Sequence, residues 1–335
     1  MAPKVSVVIP VFNRPAAVCR AIESVLAQTC QDFEIIVVDD GSTDATAASV
    51  AALANRRITL IRHERNRGGS AARNTGIRAA SAAYVAFLDS DDEWLPRKLE
   101  RQLEVFRRSG DRLGLVYSGY ERILADGSVL RQIPEDRGDL ARSLLTENVV
   151  GGTSVGMVRR HVFDEIGGFD ETLPSAQDVD FWLRICEQFS ADFAPEILVR
   201  VWQRNEDRIT ENVASLIKGR ALFCQKHRQK LMRHGVLHLW LRQSGWVYHR
   251  YAGDLRMARS LYLNSIRAQP VVPFTYVLLL TAYLPISWLD RLARCKRLLT
   301  ALFGSGRETW FADTESHSQP IANLRTKRTR DSAST

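Results

Sequence analysis

Four short clusters of residues carry the types and spacings that do chemistry. Asp89-Ser90-Asp91-Asp92 follows the apolar run Val85 to Leu88. Carboxylates two apart at a strand end can point into one cleft, where they offer hard oxygen ligands for Mg²⁺ or Mn²⁺ bridged to a diphosphate. Such a cation neutralises charge developing on a leaving diphosphate. A solvated acidic loop that caps the helix beginning near Pro96 accounts for the same four residues, and the tetrad alone leaves both open. Asp39-Asp40-Gly41-Ser42 ends a second apolar run. A carboxylate there can accept hydrogen bonds from a base N–H or ribose hydroxyls, although Asp, Gly and Ser also suit a plain strand-to-helix turn.

Gly68-Gly69-Ser70-Ala71-Ala72-Arg73-Asn74 is a Gly-rich helix entry followed by an arginine. It can approach phosphate or base, but it is neither a Walker loop nor a GxGxxG fingerprint, and a tight loop with a surface arginine fits it too. The fourth cluster is Gly167-Gly168-Phe169-Asp170-Glu171 followed by Gln177-Asp178-Val179-Asp180-Phe181-Trp182. Gly167 and Gly168 can end a short helix with a left-handed cap. Phe181, Trp182 and Ile185 pack inward from the next helix and expose Asp178 near its start. A general base needs a carboxylate facing the cleft; N-capping is the simpler role for the same residue.

The elements that must position these residues alternate. Val5 to Ile9 reads as a buried strand, and Glu34 to Val38, Ile58 to Ile61 and Tyr84 to Leu88 as further strands. Helices are expected from Pro15, from Ser42 or Thr43 to about Ala54, from Gly68 to Ala80, and from Pro96 to Arg108. That alternation predicts a parallel α/β sheet with right-handed crossovers. Ligands bind such sheets at the carboxyl ends of the strands, where Asp39, Asp40 and Asp89 all fall. Leu113 to Ser118 and Ile197 to Trp202 read as further strands, Ala125 to Ser128 as a hairpin turn, and Gln177 to Gln188 as a helix.

From about Glu211 the pattern is helical, with a hairpin of Trp246 to Met257 and Ala258 to Ala268 around Gly253-Asp254. Residues 1–210 carry 26 basic and 31 acidic side chains, a net of −5, whereas residues 211–335 carry a net of +13. The acidic part suits a metal-dependent site; the basic part suits an anionic partner, either a membrane surface or nucleic acid, or else a solvated helical face. Val271 to Leu289 is strongly apolar, interrupted by Pro273 and Pro285 and followed by Arg291, Arg294, Lys296 and Arg297. It reads as a helix lying on or dipping into a membrane rather than spanning one. The expected organisation is a nucleotide-binding domain over 1–210, a basic helical extension over 211–313 and a disordered tail over 314–335. Five scattered cysteines (Cys19, Cys30, Cys186, Cys224, Cys295) without a CxxC pair indicate neither zinc nor disulfides. Met1 to Lys4 leads straight into a strand, so no signal peptide is expected, and the chain is placed in the cytoplasm, peripheral on the inner face of the cell membrane.

Taken together and in order, these motifs resemble glycosyltransferase family 2 over roughly residues 4–210. Val7-Val8-Ile9-Pro10-Val11-Phe12-Asn13 resembles its opening strand, Val38 to Asp44 its nucleotide-binding turn, Arg73-Asn74-Thr75-Gly76 the helix that follows, and Asp89-Ser90-Asp91-Asp92 its DxD metal motif. The resemblance implies a GT-A, Rossmann-like fold and a non-processive, inverting transfer of sugar from a nucleotide diphosphate, UDP- or dTDP-linked, to an acceptor hydroxyl. It implies that Pro10 and Phe12 flank the base, Asp40 bonds it, Asp39 lies near the ribose, and Arg73 contacts base or ribose. It further implies that Asp89 holds ribose or a metal-bound water, Asp91 holds Mn²⁺ or Mg²⁺, and Asp178 deprotonates the acceptor. The acceptor would be a glycan, lipid-linked glycan or protein in glycan or polysaccharide biosynthesis, with no nucleic-acid partner expected.

Gln177 stands where the family often has Glu, and Trp202-Gln203 where some members carry a histidine, so no histidine ligand is assigned. The Gln-x-x-Arg-Trp motif of processive members is absent. Two other functions could draw on the same residues. A metal-dependent nucleotidyltransferase would use similar carboxylates, but no Lys-bearing triphosphate loop follows the first strand. A catalytically inactive membrane-surface binding protein would have little use for Asp89, Asp91 and Asp178 together.

Overall fold

The structure is a computed structural model that describes residues 3–202 and 213–284. In chain order its elements are β1 (Val5–Val11), α1 (Pro15–Leu26), β2 (Phe33–Asp39), α2 (Thr46–Ala52), β3 (Ile58–Arg62), α3 (Gly69–Ala79), β4 (Tyr84–Phe87), β5 (Asp92–Trp94) and α4 (Lys98–Arg107). Then follow β6 (Leu113–Ile123), β7 (Val129–Gln132), α5 (Ala141–Leu144), β8 (Met157–Arg159), α6 (Val162–Ile166), α7 (Gln177–Cys186) and β9 (Ser190–Trp202). Five helices close the described part: α8 (Val213–Lys226), α9 (Arg228–Arg233), α10 (Leu237–Val247), α11 (Leu255–Ala268) and α12 (Pro273–Thr281).

The strands form one sheet in the order β3-β2-β1-β4-β8-β6-β9-β5, with β7 added as a hairpin partner of β6. β3, β2, β1 and β4 are parallel. Every residue of β1 is buried, as a central parallel strand covered on both faces requires. Beyond β4 the sheet turns mixed: β8 runs antiparallel to both β4 and β6, while β6 and β9 are parallel. The expectation of a parallel sheet therefore holds for the first half only. In the second half β8 and β5 are three residues each and pair antiparallel.

The carboxyl ends of β1, β2 and β4 lie side by side. Asp39 ends β2 opposite Val11 of β1, and Asp89 follows β4 by two residues. The loops after these strands are tied together. Ser42 donates its N–H to Asp39 Oδ1 (2.9 Å), and its hydroxyl accepts the Asn13 N–H (2.8 Å). Ser42 is thus a clasp between the β1 and β2 loops and not the cap of α2, whose first residue, Thr46, has its N–H bonded by Asp44 Oδ1 (2.9 Å).

An aromatic cluster joins the two halves beneath this edge. Phe87 of β4 meets Phe169 and Phe181 edge-on at 5.2 and 6.0 Å, and Phe169 stacks on Phe181 at 4.1 Å. Each such pair contributes about 0.5–1.5 kcal/mol beyond its buried area. The cluster draws the Gly167–Glu171 loop and α7 against the end of β4.

The boundary expected at 210/211 does not divide the core. Phe223, Leu231, Val236 and Trp240 belong to the same hydrophobic cluster as the sheet, and residues 1–284 form one compact unit. The junction is polar as well as apolar. Asp180 of α7, wholly buried, faces Lys226 Nζ and His227 Nε2 at 2.8 Å each and Arg184 Nε at 2.9 Å. Lys226 also reaches Asp170 Oδ2 at 2.6 Å. Burial works to raise the Asp180 carboxyl, but its hydrogen bonds to His227 and Lys226 and the charges of Arg184 and Lys226 hold it far below the usual carboxylate range.

A depressed carboxylate contributes stability that is complete above its unfolded value and is lost as pH falls through the folded one. Thermal stability is therefore expected to decline once pH drops below about 4, where unfolded aspartates protonate. Asp180→Ala, which leaves the buried His227 ring and the part-exposed Arg184 and Lys226 without their acceptor, is expected to cost about 1.5–3 kcal/mol by urea denaturation. A loss under about 1 kcal/mol would show that the α7–α8 junction does not rest on this network.

The expected helical hairpin is present, with its turn at Gly253-Asp254. Its first arm begins earlier than the apolar pattern indicated, at Leu237, and closes in a π-turn over Tyr248–Ala252. Asp254 caps α11 by accepting the Met257 N–H (2.9 Å). Pro273 opens α12 instead of interrupting a helix. Among the described residues no helix is long and apolar enough to cross a membrane. Residues 285–289 of the apolar stretch, the basic run Arg291 to Arg297, Cys295, Gln203 and the expected tail over 314–335 lie outside the described residues.

Candidate active site

Asp89 stands at the centre of the strand edge. Its Oδ1 receives the Arg73 guanidinium and the Thr153 hydroxyl (3.0 Å), and its N–H donates to Ser154 Oγ (3.0 Å). Burial works to raise its carboxyl. The charge and hydrogen bond of Arg73, then the Thr153 bond and the charge of Arg14, outweigh burial and hold it below the usual range. Arg73 also lies over the Phe169 ring, 5.5 Å from the centroid. Asp91, two residues on, pairs with Arg14 Nη1 at 2.8 Å.

Asp92, the last of the tetrad, is different. It is buried in β5 and accepts the Ser154 hydroxyl at Oδ2 (2.6 Å). It fixes the loop that carries Thr153 and is not one of the residues open to a ligand. Trp94 holds the same loop by donating Nε1–H to the Ser154 carbonyl (2.9 Å).

Asp178 is the second residue of α7, and the residue at the cap position is Ala176, so simple N-capping does not explain it. Asn148 Nδ2 donates to Asp178 Oδ2 (3.0 Å) and to the Gly151 carbonyl (3.0 Å), while Asn148 Oδ1 accepts the Gly151 N–H (3.0 Å). Burial raises the Asp178 carboxyl. The Val179 N–H and the charge of Arg73 oppose that rise, and the charge of Asp89 adds to it. Asp178 therefore shares an electrostatic neighbourhood with Asp89 and Arg73, although the two acids lie 89 positions apart in sequence.

The backbone around Asp178 is built under constraint. Ala176 adopts a left-handed conformation (φ 61°), which costs a non-glycine residue about 1–2 kcal/mol. Ser175 next to it donates its hydroxyl to the Ser215 carbonyl of α8 (3.2 Å). α8 approaches so closely that a Cβ on Gly219 would meet Ser175 Oγ at 2.1 Å. On the other side Asn74 clamps the preceding loop. It donates Nδ2–H to the Phe169 carbonyl and Glu171 Oε1 (2.9 Å each) and accepts the Phe169 N–H at Oδ1 (2.7 Å). A Cβ on Gly168 would meet Asn74 Oδ1 at 2.2 Å. The Arg73-Asn74 pair thus serves both halves: Arg73 the acidic edge, Asn74 the loop before the candidate base.

Around the expected nucleotide residues, three protein groups already meet Asp40: its Oδ1 accepts the Arg67 N–H (2.9 Å) and contacts His63 Nδ1 (2.7 Å), and its Oδ2 accepts the Gly68 N–H (2.7 Å). Asp40 thereby shapes the Gly-rich loop. Asp39 is wholly buried, and its Oδ2 faces Arg62 Nε at 3.2 Å without an aligned hydrogen bond. Ser70 Oγ and Arg73 Nε, on the first turns of α3, are also buried with no hydrogen-bond partner. Pro10 is buried within β1, whereas Phe12 is 41% exposed beyond its end. Of the two, Phe12 is the one with a ring face available for stacking.

Among the described residues no three His, Cys, Asp or Glu side chains converge as a metal cage. Asp89 and Asp91 offer hard oxygens only, and Mg²⁺ or Mn²⁺ at a phosphate site takes one or two carboxylates and completes its shell from phosphate and water. The donor set therefore fits such an ion.

A model of "Glycosyl transferase family 2" matches residues 6–167. An uncharacterized glycosyltransferase of Methanocaldococcus jannaschii is 31% identical over 229 residues, covering 66% of this chain and 77% of that protein. The chain belongs to glycosyltransferase family 2. It spans about a third of the length of the Rickettsia felis, Rickettsia bellii and Rickettsia conorii glycosyltransferases it also matches. Two solved structures show the GT-A fold of the family 2 chain. The mannosyltransferase of Pyrobaculum calidifontis, solved with GDP-Man and Mn²⁺, has a TM-score of 0.54 at 19% identity, covering 86% of this chain and 88% of that one. Staphylococcus aureus TarS 1–349, solved with UDP-GlcNAc, has a TM-score of 0.57 at 17% identity, covering 79% and 81%.

Proposed function

We propose that this family 2 chain transfers a sugar from a nucleotide diphosphate to an acceptor hydroxyl with inversion, in glycan or polysaccharide biosynthesis. The observation that carries the reading is the gathering of Asp89, Arg73 and Asp178: the Arg73 charge works to lower both carboxyls, and the Asp89 charge works to raise that of Asp178. Asp39, Ser70 and Arg73 hold buried polar atoms that ribose hydroxyls and a base edge would satisfy. Phe12 supplies a face for the base. Asp40 acts one step back, by holding the Arg67–Gly68 backbone.

Asp91, with Asp89 beside it, would hold Mn²⁺ or Mg²⁺ against the diphosphate; the ion supplies charge neutralisation of the leaving group. Asp178, raised by burial, accepts the acceptor's proton as the acceptor oxygen attacks from the side opposite the diphosphate. Asn148 fixes the orientation of the Asp178 carboxylate by donating to Oδ2. A single displacement of this kind inverts the anomeric centre and needs no second carboxylate as general acid.

The donor is a UDP- or dTDP-sugar in this reading, and a GDP-sugar is the main competitor, because the two structural neighbours were solved with different nucleotides. A panel of nucleotide sugars incubated with Mn²⁺ tests it. Release of the nucleoside diphosphate is expected. Release of pyrophosphate instead would favour the nucleotidyltransferase, and no release with any donor or acceptor would favour the inactive binding protein.

Membrane attachment is a second part of the proposal. Val271, Tyr276, Leu280 and Tyr283 are 79, 41, 67 and 63% exposed on and around α12, within the half of the chain that carries the net positive charge. An apolar face beside basic residues suits a peripheral position on an anionic cytoplasmic surface. Sedimentation with phosphatidylglycerol vesicles at low salt is expected to pull the protein down, and equal recovery with neutral vesicles would remove the electrostatic part.

A further inference from the structure

Arg14 is absent from the roles assigned so far, yet it is the cation in contact with the proposed metal ligand. It follows β1 directly, as the residue before α1. Its N–H is anchored to Thr46 Oγ1 (2.9 Å), and its side chain crosses the strand edge to put Nη1 2.8 Å from Asp91 Oδ2. Its charge is also felt by Asp89. Both partners of the Arg14–Asp91 pair are 28% exposed, so the contact is half-buried and open to exchange. Asp89 and Asp91 are thereby each neutralised by an arginine, Arg73 and Arg14.

A divalent ion that approaches Asp91 meets the guanidinium already seated on its oxygen. Two cations on one carboxylate repel, so the ion alone binds at a disadvantage. A nucleotide diphosphate changes the balance. It brings two negative charges with the ion's two positive ones and offers oxygens matched to a guanidinium fork. Arg14 is two residues on from Phe12, at the proposed base position, and touches Asp91, so its movement stays within the site.

Resting on the donor reading above, we infer that Arg14 is an exchangeable counter-ion: it occupies Asp91 in the empty site and moves to the diphosphate when the nucleotide and the divalent ion arrive together. The consequence is coupled binding, in which nucleotide raises metal affinity and metal raises nucleotide affinity by the same factor. The exchange would disfavour idle metal at the acidic edge and tie loading of the site to the donor.

Manganese titrations of the full chain followed by electron paramagnetic resonance, with and without UDP or GDP, test this without any turnover. Arg14→Gln is expected to bind Mn²⁺ alone about tenfold more tightly than the wild type and to lose about tenfold of the nucleotide-induced gain. Arg14→Lys keeps a cation beside Asp91 and is expected to stay near the wild-type affinity for Mn²⁺ alone, which separates the charge effect from misfolding. Equal Mn²⁺ affinity and equal coupling in Arg14→Gln and wild type would overturn the exchange while leaving the donor site intact. If no form binds Mn²⁺ even with nucleotide, the donor reading and the exchange both fall.

Discussion

Asp178→Asn is expected to lower the transfer rate by about 10²–10⁴-fold, the range that a positioned general base contributes, with nucleotide affinity left close to wild type. The amide keeps the shape and can still accept the Asn148 hydrogen bond, so the loss reports the missing proton acceptor and not a rearranged loop. The raised Asp178 carboxyl adds a pH signature. The base works only when ionised, so kcat/KM should fall on acidification with a midpoint above the ordinary aspartate value.

The same shift fixes a stability sign. Between the unfolded value and the raised folded value the native state binds more protons, so ionisation of Asp178 opposes folding as pH rises through that window. Asp178→Asn removes this cost. Its melting temperature at neutral pH is therefore expected to match or exceed that of wild type. An inactive variant that is also strongly destabilised would point to a structural role for Asp178.

The second large effect belongs to Asp91. Asp91→Asn is expected to reduce kcat/KM by about a hundred- to a thousandfold, because neutralising the leaving diphosphate is worth several kcal/mol. Raising Mn²⁺ should recover part of the loss if the amide oxygen still ligates weakly. The corresponding change at Asp92 is predicted to act differently. Asp92 is a β5 residue bonded to Ser154, so Asp92→Asn should alter stability and the Thr153 loop before it alters metal affinity. Activity that depends on Asp92 for metal binding and not on Asp91 would reverse the assignment.

Much of the positioning frame was readable because it is local. Val5 to Val11 and Phe33 to Asp39 are apolar, largely β-branched runs of strand length, and Asp39 and Asp40 close the second of them. The two-residue spacing of Asp89 and Asp91, and the placement of Asp178 on a helix entry, were equally legible. What escaped is set by contacts far apart in sequence. Asp92-Glu93-Trp94 becomes a strand only because Val199 to Val201 lies beside it. The convergence of the Arg67 and Gly68 N–H groups and His63 on Asp40 spans 23 to 28 positions. Asn148, Thr153 and Ser154 orient three of the acids, yet they are uncharged loop residues. Arg14 carries no motif of its own; its contact with Asp91 depends on side-chain reach across two strand ends. The union of α8 to the sheet, through Lys226, His227 and Asp180, depends on pairing over some 47 positions, which no local pattern encodes.

A crystal of the chain grown with Mn²⁺ and a nucleoside diphosphate, with the ion located by its anomalous signal, tests the shared cleft most directly. The expected result is one manganese peak bonded to Asp91, the diphosphate between it and Arg14, and Asp178 opening onto the same cavity from the α7 side. A peak elsewhere, or Asp178 walled off from the diphosphate, would contradict the account.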